Sequence, residues 1–170
     1  YYSLGNALKE QNCIVEAISS YQKAIALKPD FLEAHINLGN IFKDQNCFDD
    51  AIICYRAALT INPNFAEAHN NLGNIFRDKN ELSIAVESYQ NALINKPDYC
   101  DAYYNLGNAL HEQGKIDDAH EQFKKAISCN PAMVAWKIRK AILMPIIPRG
   151  KSDIFSRRES LLKNIETIKK

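Results

Sequence analysis

The chain has 170 residues, 46% of them hydrophobic and 24% charged, with a formal net charge of +1. That is about one domain of chain, and its apolar share excludes a disordered protein. No run approaches the ~18 apolar residues of a membrane span, and no charged-then-apolar secretory leader opens the sequence.

The charge is unevenly placed. Residues 1–133 hold 11 basic and 17 acidic side chains, a balance of −6, and residues 134–170 hold 10 and 3, a balance of +7. Two parts with different jobs are expected. The cysteines are Cys13, Cys47, Cys54, Cys100 and Cys129, an odd number without a CxxC pair. Reduced thiols in a cytoplasmic setting are the expectation.

Ser3-Leu4-Gly5-Asn6, Asn37-Leu38-Gly39-Asn40, Asn71-Leu72-Gly73-Asn74 and Asn105-Leu106-Gly107-Asn108 recur at a period of 34 residues. With Leu32, Ala66 and Cys100 as slot 1, glycine fills slot 8 in all four copies. Slot 20 is Ala17, Ala51, Ala85 and Ala119, and slot 24 is Tyr21, Tyr55, Tyr89 and Phe123. Slot 27 is Ala24, Ala58, Ala92 and Ala126, and slot 32 is Pro29, Pro63, Pro97 and Pro131. Fixed periodicity of this kind is the mark of a repeat architecture.

In chain order, repeat one enters on Tyr1 at slot 4, inside a helical pattern and without Met, so a piece of a longer protein is expected. In repeat two a first helix is predicted from Leu32 to Gln45 and a second from Asp49 to Ile61. Asn46 breaks the pattern between them, and Pro63 stops the second helix, because proline cannot continue one. Repeats one, three and four follow the same plan, with Asn12, Asn80 and Gly114 in the break. Glycine within a helix costs ~1 kcal/mol relative to alanine, so slot 8 implies a close approach of the partner helix. Each hairpin is expected to bury its apolar face only by stacking on its neighbours.

Slots 4, 7, 8, 11, 20, 24, 27 and 32 resemble the tetratricopeptide repeat over residues 1–133. The departure is slot 4, usually Trp and here Tyr1, His35, His69 and Tyr103. The resemblance implies an all-α superhelical solenoid of four helix-turn-helix hairpins, the first truncated, whose first helices line a concave groove.

After Met133 the register fails. Val134 to Met144 still reads as helical, Pro145 to Gly150 as a break, and Ser152 as the N-cap of a last helix. Residues 134–170 are read as C-terminal capping helices, as a connector to a further domain, or as both. Their basic side chains lack interleaved aromatics, so nucleic acid is not an expected partner, nor is a membrane.

No catalytic constellation, cofactor motif or metal-ligand spacing is present. His35 and His69 share a slot that packing explains. The expected site is instead a binding face. At 100° per residue, slots 2, 5, 6, 9 and 13 fall on one arc of the first helix. Slot 6 gives Ser3, Asn37, Asn71 and Asn105, and slot 9 gives Asn6, Asn40, Asn74 and Asn108. Asparagine is a poor helix former, so its doubling on one face asks for a reason. A carboxamide carries donors and an acceptor and can match a peptide unit of an extended chain. It can equally brace neighbouring helices. Slots 2 and 13 add Glu33, Glu67, Asp101, Glu10, Asp44, Asp78 and Glu112, so the groove is expected to be amide-rich and acidic.

The slot-6 asparagines, with Leu143-Met144-Pro145-Ile146-Ile147, Ser152-Asp153-Ile154 and Arg157-Arg158, also resemble the repeat region of SPINDLY-type O-linked N-acetylglucosamine transferases. That likeness implies a substrate-recognition region of a glycosyltransferase whose catalytic domain is absent here. The other expectation is a stand-alone adaptor that assembles a protein complex. In both, the partner is a protein or peptide in extended conformation, and a homo-oligomer is compatible with either.

Overall fold

The computed structural model describes residues 1–133, so the expected helices and break at 134–170 lie outside the described residues. Regular structure among the described residues is wholly helical. The helices are α1 (Tyr2–Glu10), α2 (Ile14–Leu27), α3 (Leu32–Asp44), α4 (Phe48–Ile61), α5 (Ala66–Asp78), α6 (Leu82–Asn95), α7 (Cys100–Glu112) and α8 (Ile116–Cys129). They pair as four hairpins. α3 ends one residue before the predicted Gln45 and α4 begins one before Asp49.

The turns explain these boundaries. Asn12, Asn46 and Asn80 take φ of 60°, 59° and 61°, and Gly114 takes 78°. This is the left-handed conformation that glycine and asparagine tolerate best. Around Asn46, the Cys47 amide donates to the Phe42 carbonyl at 2.8 Å and the Asn46 amide to Lys43 at 2.9 Å. The same pair of bonds closes α1, α5 and α7. The second helices end before their prolines, where Lys28, Asn62 and Asn130 are turned out of the helical region at φ −140°, −134° and −135°.

Each hairpin closes on its glycine. A Cβ placed on Gly39 would lie 2.9 Å from Tyr55 Cε1, and one on Gly73 would lie 2.5 Å from Tyr89 Cε1. Gly5 and Gly107 meet the rings of Tyr21 and Phe123 in the same way. The glycine therefore makes room for the slot-24 ring, and not for the bare helix backbone. All four rings are fully buried, as are Ala17, Ala51, Ala85 and Ala119.

Repeats one to three lie in a compact unit, Tyr1–Asn95, and repeat four in a second unit beginning at Lys96. Inside the first unit, α2 packs on α3 and α4 on α5. One buried cluster joins Ala17 and Tyr21 of repeat one to Leu38, Ile41 and Cys54 of repeat two, with Tyr2, Leu8 and Phe42 packed against it. The apolar face of one hairpin is thus covered by the next.

The expectation of five reduced thiols is corrected. Cys100 and Cys129 form a disulfide with their Cα atoms 5.4 Å apart, while Cys13, Cys47 and Cys54 are free. The two joined residues open α7 and close α8, which brings them together at the end of the hairpin opposite its turn. The cytoplasmic setting loses the support that cysteine usage had lent it. No helix among the described residues is long and apolar enough to cross a membrane.

Candidate functional site

The slot-6 and slot-9 asparagines lie three residues apart on the first helices, and the structure ties them across repeats. Asn37 Nδ2 donates to Asn6 Oδ1 at 3.0 Å, and Asn71 Nδ2 donates to Asn40 Oδ1 at 3.1 Å. The same oxygens accept the slot-24 hydroxyls, from Tyr21 at 2.7 Å and from Tyr55 at 2.6 Å. Tyr89 donates likewise to Asn74 Oδ1 at 2.8 Å. Asn37 Nδ2 reaches Tyr2 Oη as well, at 3.2 Å. The bracing role read from the sequence is therefore present in the first three repeats.

These bonds also fix which way each amide faces. The slot-9 oxygens of Asn6 and Asn40 are each engaged twice, so their Nδ2 groups are the part not used in the ladder. For Asn71 the nitrogen is engaged and the oxygen is not. A carboxamide has two donors and two acceptor positions, so capacity is left over on both slots.

Asn6 and Asn37 line a cleft of about 420 Å³ together with Lys9 and Glu10. Lys9 belongs to a row that sequence reasoning missed, slot 12, filled by Lys9, Lys43, Arg77 and His111. The regular recurrence of a basic residue was the signal available for it. Lys43 lies 3.7 Å from Asp44 and Arg77 lies 3.2 Å from Asp78. The face expected to be acidic is thus partly neutralised. These pairs are solvent-exposed and contribute little stability.

His35 Nε2 lies 2.9 Å from the Pro29 carbonyl oxygen, and His69 Nε2 lies 2.9 Å from that of Pro63. Both rings therefore tether the first helix to the preceding turn. No group of three or more His, Cys, Asp or Glu that could hold a metal occurs among the described residues.

Repeat four differs. Asn105 is half-buried on α7, but Asn108 is only 6% exposed, against the expectation of an open face. Phe123 has no hydroxyl to offer, and Asn108 Oδ1 is buried without a hydrogen-bond partner.

Family models described as TPR repeat match residues 5–46, 39–76 and 73–114, and one described as tetratricopeptide repeat matches 100–133. Among solved structures, one of MamA is 24% identical with a TM-score of 0.84, covering 99% of this chain and 94% of that one. YrrB, described as a TPR protein with an unusual peptide-binding site, is 19% identical with a TM-score of 0.74, covering 99% and 82%. MamA from Desulfovibrio magneticus RS-1 is 13% identical with a TM-score of 0.81, covering 98% and 89%. At these identities the likeness is one of fold. No match is found among curated protein sequences. Nothing in these matches supports the narrower likeness to SPINDLY-type transferases. With the family models meeting end to end over residues 5–133, the chain belongs to the tetratricopeptide repeat family.

Proposed function

We propose that this protein-interaction scaffold holds a segment of a partner protein in extended conformation against its asparagine-bearing helix faces. The observation that carries the reading is the fixed orientation of the amides. Asn6 and Asn40 keep N–H groups outside the ladder, and Asn71 keeps its oxygen. A peptide backbone presents the complementary carbonyls and amides whatever its side chains. Repeats stack at roughly 10 Å, about the span of three extended residues, so one amide step meets one short stretch of ligand. The peptide-binding description of YrrB, a structural neighbour, is consistent with this use of the fold.

The charged rim adds selectivity. Glu33 and Glu67 at slot 2 and the paired charges at slots 12 and 13 make binding sensitive to salt. The narrower reading, substrate recognition for an O-linked N-acetylglucosamine transferase, rests on residue resemblance alone. An adaptor that assembles a protein complex fits the same geometry.

The test begins with peptides selected from a random phage-displayed library against the parent chain. Each net hydrogen bond contributes only ~0.5–1.5 kcal/mol, so single Asn→Ala changes should weaken binding a few-fold and the triple Asn6→Ala, Asn40→Ala, Asn71→Ala variant should abolish it. Circular dichroism checks that the triple variant is folded. Undiminished binding by a folded triple variant would leave the ladder as bracing alone.

A further inference from the structure

The cysteines of this chain are unequal in place as well as in state. Cys100 and Cys129 are bonded to each other, and Cys13, Cys47 and Cys54 are not bonded. Cys100 is the first residue of α7 and Cys129 the last of α8, so the bridge shuts the open end of the hairpin that Gly114 turns at the other end. The corresponding positions of repeat two are Leu32 and Ile61, and those of repeat three are Ala66 and Asn95. A covalent closure of this kind belongs to repeat four.

Repeat four is also the repeat whose polar groups are worst satisfied. Tyr21, Tyr55 and Tyr89 each bond the slot-9 asparagine of their own hairpin, whereas Phe123 leaves Asn108 Oδ1 buried and unpartnered. Gln113 Oε1 and His120 Nε2 are buried without partners too, and among the described residues these three atoms are the whole of that class. A buried polar atom left unbonded weakens the folded state. A crosslink offsets such a weakness by removing open conformations from the chain's alternatives. The two cysteines are partly exposed, so a small thiol can reach them.

We infer that Cys100–Cys129 is a redox-controlled clasp on repeat four. Oxidised, it holds α7 against α8. Reduced, it lets this hairpin open while repeats one to three stay folded. The reductant is a dithiol. Its thiolate attacks one bridge sulfur, the S–S bond breaks, and the released cysteine takes up a proton. The second sulfur of the dithiol then displaces the other cysteine, which is also protonated, and the reductant leaves as its own disulfide. Two electrons and two protons pass to the protein. The clasp is independent of what the scaffold binds.

Hydrogen exchange read by mass spectrometry on the full chain tests this, before and after dithiothreitol, with the thiol count confirmed by alkylation. Amides of α7 and α8 should exchange at least about tenfold faster on reduction, and those of α1 to α4 should not change. The Cys100→Ser, Cys129→Ser variant should match the reduced chain whether or not dithiothreitol is present. That separates the bridge from effects of reductant on the three free thiols. Exchange in α7 and α8 unmoved by reduction would overturn the clasp, as would an equal rise in every helix. Absence of the bridge from air-oxidised protein would do the same.

Discussion

A tyrosine ring resting on a glycine, its hydroxyl tied to the asparagine that directly follows that glycine, recurs in the first three repeats. The ring fills the space that the absent Cβ leaves, and the hydroxyl finds an acceptor that would otherwise be half-satisfied. Repeat four keeps the ring and lacks the hydroxyl. Exchanging the two states should therefore move stability in opposite directions. Tyr89→Phe should lose about 1 kcal/mol and Phe123→Tyr should gain about as much, read from urea unfolding, because the new hydroxyl meets Asn108 Oδ1. A loss on Phe123→Tyr would mean that the site has no room for the added oxygen. Acidity at the same scale gives a second expectation. Burial, helped by the Asp50 carboxylate, pushes the Cys54 thiol up to about 11. Burial also raises Tyr21 and Tyr55. A native state that holds its proton more tightly is at full stability below the unfolded pKa and loses stability as pH rises through the folded one. The unfolding midpoint should be level from neutral pH to about 8.5 and fall between about 9 and 11. A midpoint that stays level to pH 11 would show that Cys54 is not shielded as the packing implies.

At the scale of helices and turns, local chemistry made much of the architecture readable. Asn12, Asn46, Asn80 and Gly114 stand where a left-handed residue is needed, and proline at slot 32 ends each second helix. Such constraints act within a few residues, which is why the helix limits fell within one residue of those expected in repeat two. The ladder was legible only as a shared face. Its hydrogen bonds join Asn37 to Asn6 and Asn71 to Asn40, partners 31 residues apart, and Tyr55 to Asn40, 15 apart. Periodicity places residues on a face but says nothing about which atoms of neighbouring turns meet. The same limit hid the glycine contact, where a ring rather than a backbone occupies the gap. The disulfide was missed for another reason. An odd cysteine count without a CxxC pair carries no signal for a bridge between slots 1 and 30 of one repeat, which meet only when the folded hairpin brings Cys100 and Cys129 together at its open end.

Across the unit Tyr1–Asn95, the principal contacts run from each helix to the next in chain order. No long-range strand pairing or returning segment binds the first hairpin to the third. Stability in such an array is approximately the sum of each hairpin's own term and the interface terms between neighbours. A disturbance should then travel as far as the adjoining interface and fade. Glycine at slot 8 supplies two matched disturbances. Alanine at Gly5 would put a Cβ 2.8 Å from Tyr21 Cε1, and at Gly39 one 2.9 Å from Tyr55 Cε1. The better helix propensity of alanine, ~1 kcal/mol, is opposed by ~1–3 kcal/mol of overpacking against a fully buried ring. Both variants should therefore be less stable, but in different places. Gly5→Ala disturbs a hairpin with one neighbour in this unit, so hydrogen exchange should quicken in α1 and α2 and leave α5 and α6 as they were. Gly39→Ala disturbs the middle hairpin. Exchange should quicken in α3 and α4 and also on both flanks, since repeats one and three each lose the surface they pack on. If Gly5→Ala loosened α5 and α6 as much as α1 and α2, the three hairpins would unfold as one block, and the nearest-neighbour description of this unit would be wrong.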